Sequence, residues 1–136
     1  MLLAWSRYLA LFFALGLGVG EAVINWGDWQ YTPLWVVDYI IVAGLLWSFF
    51  KTRTGRHIHM LVGSWAFAAG IFYMALFVNL DPEMAQYVES DTALLVIIGF
   101  MLVLCVIGFL CAVFAIQTQR GGPATGSLAA AIEPER

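Results

Sequence analysis

Charged side chains are scarce in this sequence. They make up 11% of its 136 residues, whereas a typical soluble domain has about 25%. Hydrophobic residues reach 62% of the chain, and its mean hydropathy is +0.88. A water-soluble core of this length does not need so much apolar surface. The composition therefore excludes an ordinary soluble domain and predicts that lipid surrounds most of the chain.

The motifs of common catalytic and nucleic-acid sites are also missing. The chain has no glycine-rich phosphate loop, no nucleophile elbow and no H-E-x-x-H sequence, so no catalytic residue and no cofactor is predicted. It has no basic stripe with interleaved aromatic residues, which argues against nucleic acid as a partner. The two histidines, His57 and His59, are two positions apart and would point in different directions on a helix. No metal site is predicted there.

Cysteine is equally rare. Cys105 and Cys111 lie six residues apart within one apolar run, so on a helix their side chains point to different faces. A disulfide between them is geometrically implausible, and a quinone-linked disulfide-forming enzyme would need cysteine pairs near the outer surface. Both residues are expected to be small packing residues.

Long apolar runs are what the sequence does have. Four of them, residues 3–24, 34–50, 58–80 and 92–116, have about the length that crosses the hydrocarbon core of a bilayer. They predict an all-α fold, a four-helix transmembrane bundle with antiparallel up-down order, as one domain over residues 1–118. Residues 119–136 are rich in small residues and are predicted to be a disordered tail. A cleaved signal peptide, with Arg7 as its charged region, is the competing interpretation of the first run.

Lys and Arg occur only in every second connection along the chain and towards its two ends. Arg7 lies near the N-terminal start of the first run, a group of three cations separates the second from the third, and the rest follow the fourth; the full set is Arg7, Lys51, Arg53, Arg56, Arg120 and Arg136. The connections 25–33 and 81–91 contain no Lys or Arg. This pattern predicts that both termini are cytoplasmic, in a multi-pass protein of the bacterial inner (plasma) membrane. Lys51, Arg53 and Arg56 are expected to contact anionic lipid headgroups.

Small residues mark two of the predicted spans as helix-packing surfaces. Gly16, Gly18 and Gly20 lie in the first, and Ala66 and Gly70 lie four apart in the third. Membrane helices associate through close contact at such residues. The sequence therefore predicts a close crossing of the first and third spans, with a homodimer face as the alternative.

Two carboxyl groups lie inside the predicted spans. Glu21 is about one turn from the outer end of the first span, and Asp38 is about one turn from the outer start of the second. The insertion cost of a charged residue at mid-membrane is about 2.5–3.5 kcal/mol, so each such residue is a candidate site. Because the connection between the two spans is short, both carboxyls are expected at similar depth.

Other polar and aromatic residues are expected around this carboxyl pair. Helical spacing puts Asn25 on the face of Glu21, and Tyr73 and Asn79 of the third span fall near the same depth. An aromatic rim is predicted from the residues Trp26, Trp29, Tyr31 and Trp35. The arrangement fits a ligand or ion pocket, since no Lys or Arg of this chain lies on that side. It fits equally a structural clamp between two helices.

Three interpretations of function remain open. The first is a non-enzymatic accessory or scaffold subunit that acts through helix packing, within a homo-oligomer or a larger membrane complex. The second is a protomer of a proton, cation or small-solute transporter or channel with an acidic outer pocket. The third is a membrane protein or enzyme that binds a lipid or a small molecule. Membrane lipid is a partner in all three.

Overall fold

The part of the chain that can be described in a computed structural model is helical throughout, apart from short connections. It comprises residues 1–24, 26, 32–55, 57–81, 83 and 92–120. Helix α1 spans Leu2–Ile24, α2 spans Thr32–Lys51, α3 spans Ile58–Leu80 and α4 spans Thr92–Arg120. A short 3-10 helix, Thr52–Thr54, follows α2 directly.

All four helices are long and apolar enough to cross a membrane, and the protein is therefore a multi-pass membrane protein. With 23, 20, 23 and 29 residues, each reaches about 30 Å or more, which is the thickness of the hydrocarbon core. The predicted all-α class and the four spans are confirmed. Helix α4 continues to Arg120, about one turn beyond its predicted end. Residues 121–136 lie outside the described part, so the disordered tail stays a prediction.

The helices meet around one shared core. Helix α1 packs against α2 and α4, and α3 packs against the same two helices. Every helix contributes buried apolar side chains; those of the core are Ala10, Phe13, Ala14, Leu17, Ile41, Leu45, Leu61, Trp65, Ala68, Phe72, Ile98, Cys105 and Ala112. Both cysteines are free thiols, and Cys105 is fully buried.

Aromatic residues, rather than small ones, join α1 to α3 across this core. Phe13 packs edge-on against Trp65, with the ring centroids 5.4 Å apart, and against Phe72 at 5.6 Å. Edge-to-face pairs at such distances are favourable beyond the area that they bury. The predicted close crossing of these two helices through small residues is not found among the described residues, because bulky rings occupy the space between them.

Gly108 lets the largest of these rings approach α4. A Cβ atom built on Gly108 would lie 2.3 Å from Cε2 of Trp65, which is too close for two non-bonded carbon atoms. The indole N–H of Trp65 donates to the Ser6 hydroxyl at 3.0 Å, and that hydroxyl donates to the Gly108 carbonyl at 2.8 Å. These three residues, here called the three-helix junction, join α1, α3 and α4 through buried hydrogen bonds.

The connection between α2 and α3 is a tight turn. Its backbone reverses at Gly55, whose φ of 73° lies in the left-handed region that glycine adopts without steric strain. The Gly55 N–H donates to the Thr52 carbonyl at 3.0 Å, and the buried Thr52 hydroxyl donates to the Ser48 carbonyl at 2.6 Å. The turn is thus held by its own hydrogen bonds and fixes α2 beside α3.

Candidate functional site

Glu21 and Asp38 form the candidate carboxyl pair. The two residues lie on the neighbouring helices α1 and α2, and both side chains are half-buried. Asp38 is near enough to Glu21 for their charges to interact. Val42 of α2 lies beside Gly18 of α1 next to the pair, where a Cβ atom built on Gly18 would make an ordinary contact of 3.6 Å with the Val42 side chain.

The described cationic side chains lie far from this carboxyl pair. Lys51 ends α2, thirteen residues beyond Asp38, which corresponds to about 20 Å along the helix. Arg7 is near the other end of α1, where it donates through Nε and Nη2 to the Phe49 carbonyl at 3.3 and 3.1 Å. Neither side chain is in position to neutralise the carboxyls of Glu21 and Asp38.

The described contacts of Tyr73 and Asn79 are with residues of their own helix. The Tyr73 ring is exposed and contacts Phe77 on its own helix at a centroid distance of 4.6 Å. The Asn79 amide donates to the Ala75 carbonyl one turn earlier at 2.8 Å. Its carbonyl oxygen is buried and has no hydrogen-bond partner among the described residues. Asn25 lies outside the described part, so its place in the pocket stays a prediction.

The predicted aromatic rim is described only in part. Trp26 is 88% exposed, which suits an indole at the level of lipid headgroups. Trp35 packs edge-on against Tyr39 with the centroids 5.8 Å apart. Trp29 and Tyr31 lie outside the described residues.

Most of the predicted packing residues of α1 and α3 face outward. A Cβ atom at Gly16, Gly20 or Gly70 would meet no atom within 4 Å, and Ala66 is exposed. Of the predicted packing residues, Gly18 is the one that contacts a neighbouring helix. The structure therefore leaves two small-residue surfaces open on the outside of the bundle.

The basic residues of the α2–α3 turn are solvent- or lipid-accessible. Lys51 and Arg53 are both exposed, and the Lys51 ammonium lies 5.0 Å from the centroid of the Trp47 ring. Arg56 lies outside the described residues. The accessibility of Lys51 and Arg53 is compatible with headgroup contact, which stays a prediction.

Two polar features were not singled out by the sequence. One is the three-helix junction. The other is a hydroxyl pair, Ser48 and Ser64, whose Oγ atoms are 2.9 Å apart between α2 and α3. Serines are common in apolar helices. Two serines at the same depth on two connected spans are nevertheless a sequence signal that could have predicted the hydroxyl pair.

A groove of about 610 Å³ runs beside the hydroxyl pair, between α2 and α3 on the outside of the bundle. The two serines line it together with glycines and large apolar side chains; the lining residues are Ile40, Ile41, Ala43, Gly44, Trp47, Ser48, Met60, Gly63, Ser64 and Phe67. The volume falls in the range of small-molecule sites, about 300–1,000 Å³. The described residues contain no cluster of three or more metal-ligating side chains.

Comparisons with protein-family models, with curated proteins and with solved structures find no match to this chain.

Proposed function

We propose that the protein is a non-enzymatic accessory or scaffold subunit, which acts by packing its outer helix surfaces against a second copy of itself or a larger membrane partner. The observation that carries this proposal is the outward position of Gly16, Gly20, Ala66 and Gly70. Small residues allow the backbones of membrane helices to approach closely. Packing within the bundle leaves these positions open, so they are available for contact between chains.

The proposal includes a topology in which the helices alternate in direction and both termini are cytoplasmic. Two contacts between α1 and α2 support the alternation, because Arg7 meets Phe49 whereas Gly18 meets Val42. Residue numbers thus rise along one helix as they fall along the other. The distribution of Lys and Arg supports cytoplasmic ends and a bacterial inner membrane.

Leucine substitutions at the open glycines test the packing proposal. In Gly70→Leu and Gly16→Leu, the new side chain enters open space within the monomer, but it would separate two helices packed against one another. We expect the assembly seen in mild detergent by cross-linking and light scattering to be lost, with monomer stability unchanged. Gly99→Leu is the matched control, since its Cβ atom also meets nothing within 4 Å and it lies on α4.

The proposal fails if the wild-type protein is monomeric and free of any stoichiometric partner in mild detergent. It fails also if both variants keep the wild-type assembly.

A second candidate is a protomer that transfers a proton or a cation, with the carboxyls of Glu21 and Asp38 at its outer mouth. Their electrostatic interaction favours it, because two neighbouring carboxyls can hold a shared proton or an external cation. The expected result is a proton or cation flux in proteoliposomes that disappears in Asp38→Asn and Glu21→Gln. If the doubly neutral variant folds and retains the wild-type flux, the pair is a structural clamp.

A further inference from the structure

The groove between α2 and α3 has a fixed place relative to the thickness of a membrane. Its lining extends from Ile40 to Ser48 on α2 and from Met60 to Phe67 on α3, which is about 12 Å along the helix axes. The hydrocarbon core of a bilayer is about 30 Å thick, so one leaflet contributes about 15 Å. The groove therefore occupies the depth of a single leaflet, the one on the side of the Lys51–Gly55 turn. A transmembrane helix of a partner would need a surface more than twice as long.

The walls and floor of the groove suit a hydrocarbon chain. Trp47, Met60 and Phe67 form exposed walls, and Gly63 leaves the floor open because a Cβ atom there would meet nothing within 4 Å. The Ser48 and Ser64 hydroxyls, 2.9 Å apart, add two polar atoms at the end nearest the turn. An occupant that matches this lining is apolar along most of its length and polar at one end.

The polar end of the groove is cationic. Lys51 follows the lining residue Ser48 by three positions, and its ammonium lies over the ring of Trp47, which forms one wall. Arg53 is exposed in the turn beside it. Residues 39–80 contain no Asp or Glu, nor do residues 92–120 or 2–20, so no carboxylate of the helices packed around this end opposes the two cations. The charge is therefore complementary to an anionic headgroup.

We infer that this groove binds an anionic phospholipid of the adjacent leaflet, with one acyl chain between α2 and α3 and the phosphate at Lys51. The inference does not depend on the proposed packing function, since its ligand is a lipid rather than a protein, although Gly63 and Gly70, seven residues apart, share one face of α3. The Lys51 ammonium pairs with the phosphate. One serine hydroxyl donates to the other, so one proton of the pair is left, and the half-buried Ser64 hydroxyl can donate it to an ester oxygen near the headgroup. Trp47 would contact both the headgroup region and the acyl chain of the lipid. Its ring lies beneath the Lys51 ammonium and also lines the groove.

Native mass spectrometry of the full-length protein in mild detergent tests this inference directly. Phosphatidylglycerol and phosphatidylcholine with identical acyl chains are added in equal amounts, and the occupancy of each lipid adduct is measured. We expect retention of one phosphatidylglycerol per chain in preference to phosphatidylcholine. In Lys51→Gln this preference should fall about fivefold, the effect of one basic residue at an anionic membrane surface, whereas Lys51→Arg should retain it.

Filling the groove should abolish the binding of both lipids. In Gly63→Leu the added side chain takes the space of the acyl chain, and the fold tolerates it because nothing lies within 4 Å. Gly99→Leu, which makes the same change on α4, should bind as the wild-type protein does. Should Gly63→Leu not purify as a folded protein, Ala43→Phe fills the groove from α2 and replaces it in the test.

Any of four results would overturn the inference. The first is equal retention of the two lipids, or of neither, by the wild-type protein. The second is wild-type occupancy in the filled variants. The third is a wild-type complex that contains a second protein chain and no lipid, and that dissociates in Gly63→Leu. A protein rather than a lipid would then occupy the groove. Inorganic phosphate added alone should not bind to the wild-type protein, since it lacks the acyl chain; a phosphate adduct that Gly63→Leu retains would also contradict the inferred lipid.

Discussion

Replacing Gly108 with alanine should destabilise the fold more than the same change at any other described glycine of α4. The added Cβ atom would lie 2.3, 2.5 and 2.7 Å from three atoms of the Trp65 indole, whereas carbon atoms pack at about 3.5–4.0 Å. The ring or helix α4 must therefore move by about 1 Å. Trp65 is fully buried and packs against Phe13, so neither movement has free space available.

The size of the effect follows from two contributions. Inserting an extra carbon into a well-packed core costs about 1–3 kcal/mol. Moving the indole also weakens its hydrogen bond to Ser6, which in a membrane protein is worth about 0.6 and at most about 1.7 kcal/mol. We expect a loss of about 2–4 kcal/mol in the free energy of unfolding, measured against Gly99→Ala. That control includes the gain in helix propensity from glycine to alanine without a clash.

Reversible unfolding in mixed micelles of dodecylmaltoside and sodium dodecyl sulfate, followed by far-UV circular dichroism, measures this difference. Combining Gly108→Ala with Trp65→Phe provides an internal check, because the smaller ring relieves part of the clash. The double variant should then lose less stability than the sum of the single variants, by about 1 kcal/mol or more. The reasoning is refuted if Gly108→Ala unfolds within about 0.5 kcal/mol of Gly99→Ala.

Two further changes have predicted outcomes in the same unfolding assay. Ser6→Ala leaves the buried Trp65 N–H without its acceptor and should reduce stability by about 1–2 kcal/mol; an unchanged unfolding midpoint would contradict the three-helix junction. Gly55→Ala forces a Cβ atom into left-handed backbone and should reduce stability by about 1–2 kcal/mol, with Gly55→Asn less affected and Thr54→Ala as the neutral control. If Gly55→Ala and Thr54→Ala unfold alike, the turn does not require a left-handed residue.

The helices could be read from the sequence because each apolar run ends at residues that cannot be buried in lipid. Lys51 ends α2 at the turn, and Asp81 follows the last residue of α3, so hydropathy alone indicates these limits. For α4, hydropathy placed the end of the helix about one turn too early, since Gln117 to Arg120 are polar yet continue the helix. A polar residue at a membrane surface can remain helical, and hydropathy does not detect this.

The orientation of the helices about their own axes could not be predicted in the same way. Helices α2, α3 and α4 show almost no periodic contrast between their faces, and that of α1 is modest, so the pattern does not indicate which face is buried. Gly16 and Gly70 were expected inside the bundle because they are small, yet they face outward. Trp65, in contrast, lies at the centre because Gly108 and Ser6 on two other helices make room and supply an acceptor. Such matching between distant residues is a tertiary property and has no local signal.

The candidate site was predicted in part from the sequence. The short connection between two spans predicts that Glu21 and Asp38 lie at one depth, and in the structure the two half-buried side chains lie on neighbouring helices with their charges interacting. The groove at Gly63 and Ser64 was not foreseen, because it depends on how far apart α2 and α3 lie. The separation of two helices depends on all the side chains between them rather than on any single motif.

The three-helix junction also constrains the order in which the protein can be made. Its hydrogen bond from Ser6 to the Gly108 carbonyl joins residues 102 positions apart. Ribosomes add about 5–20 residues per second, so roughly 5–20 s separate the synthesis of the two partners. During that interval the Ser6 hydroxyl and the Trp65 indole lack their final neighbour on α4. The first three helices must therefore wait in the bilayer in an incomplete arrangement, and a chain truncated before residue 108 cannot close its core.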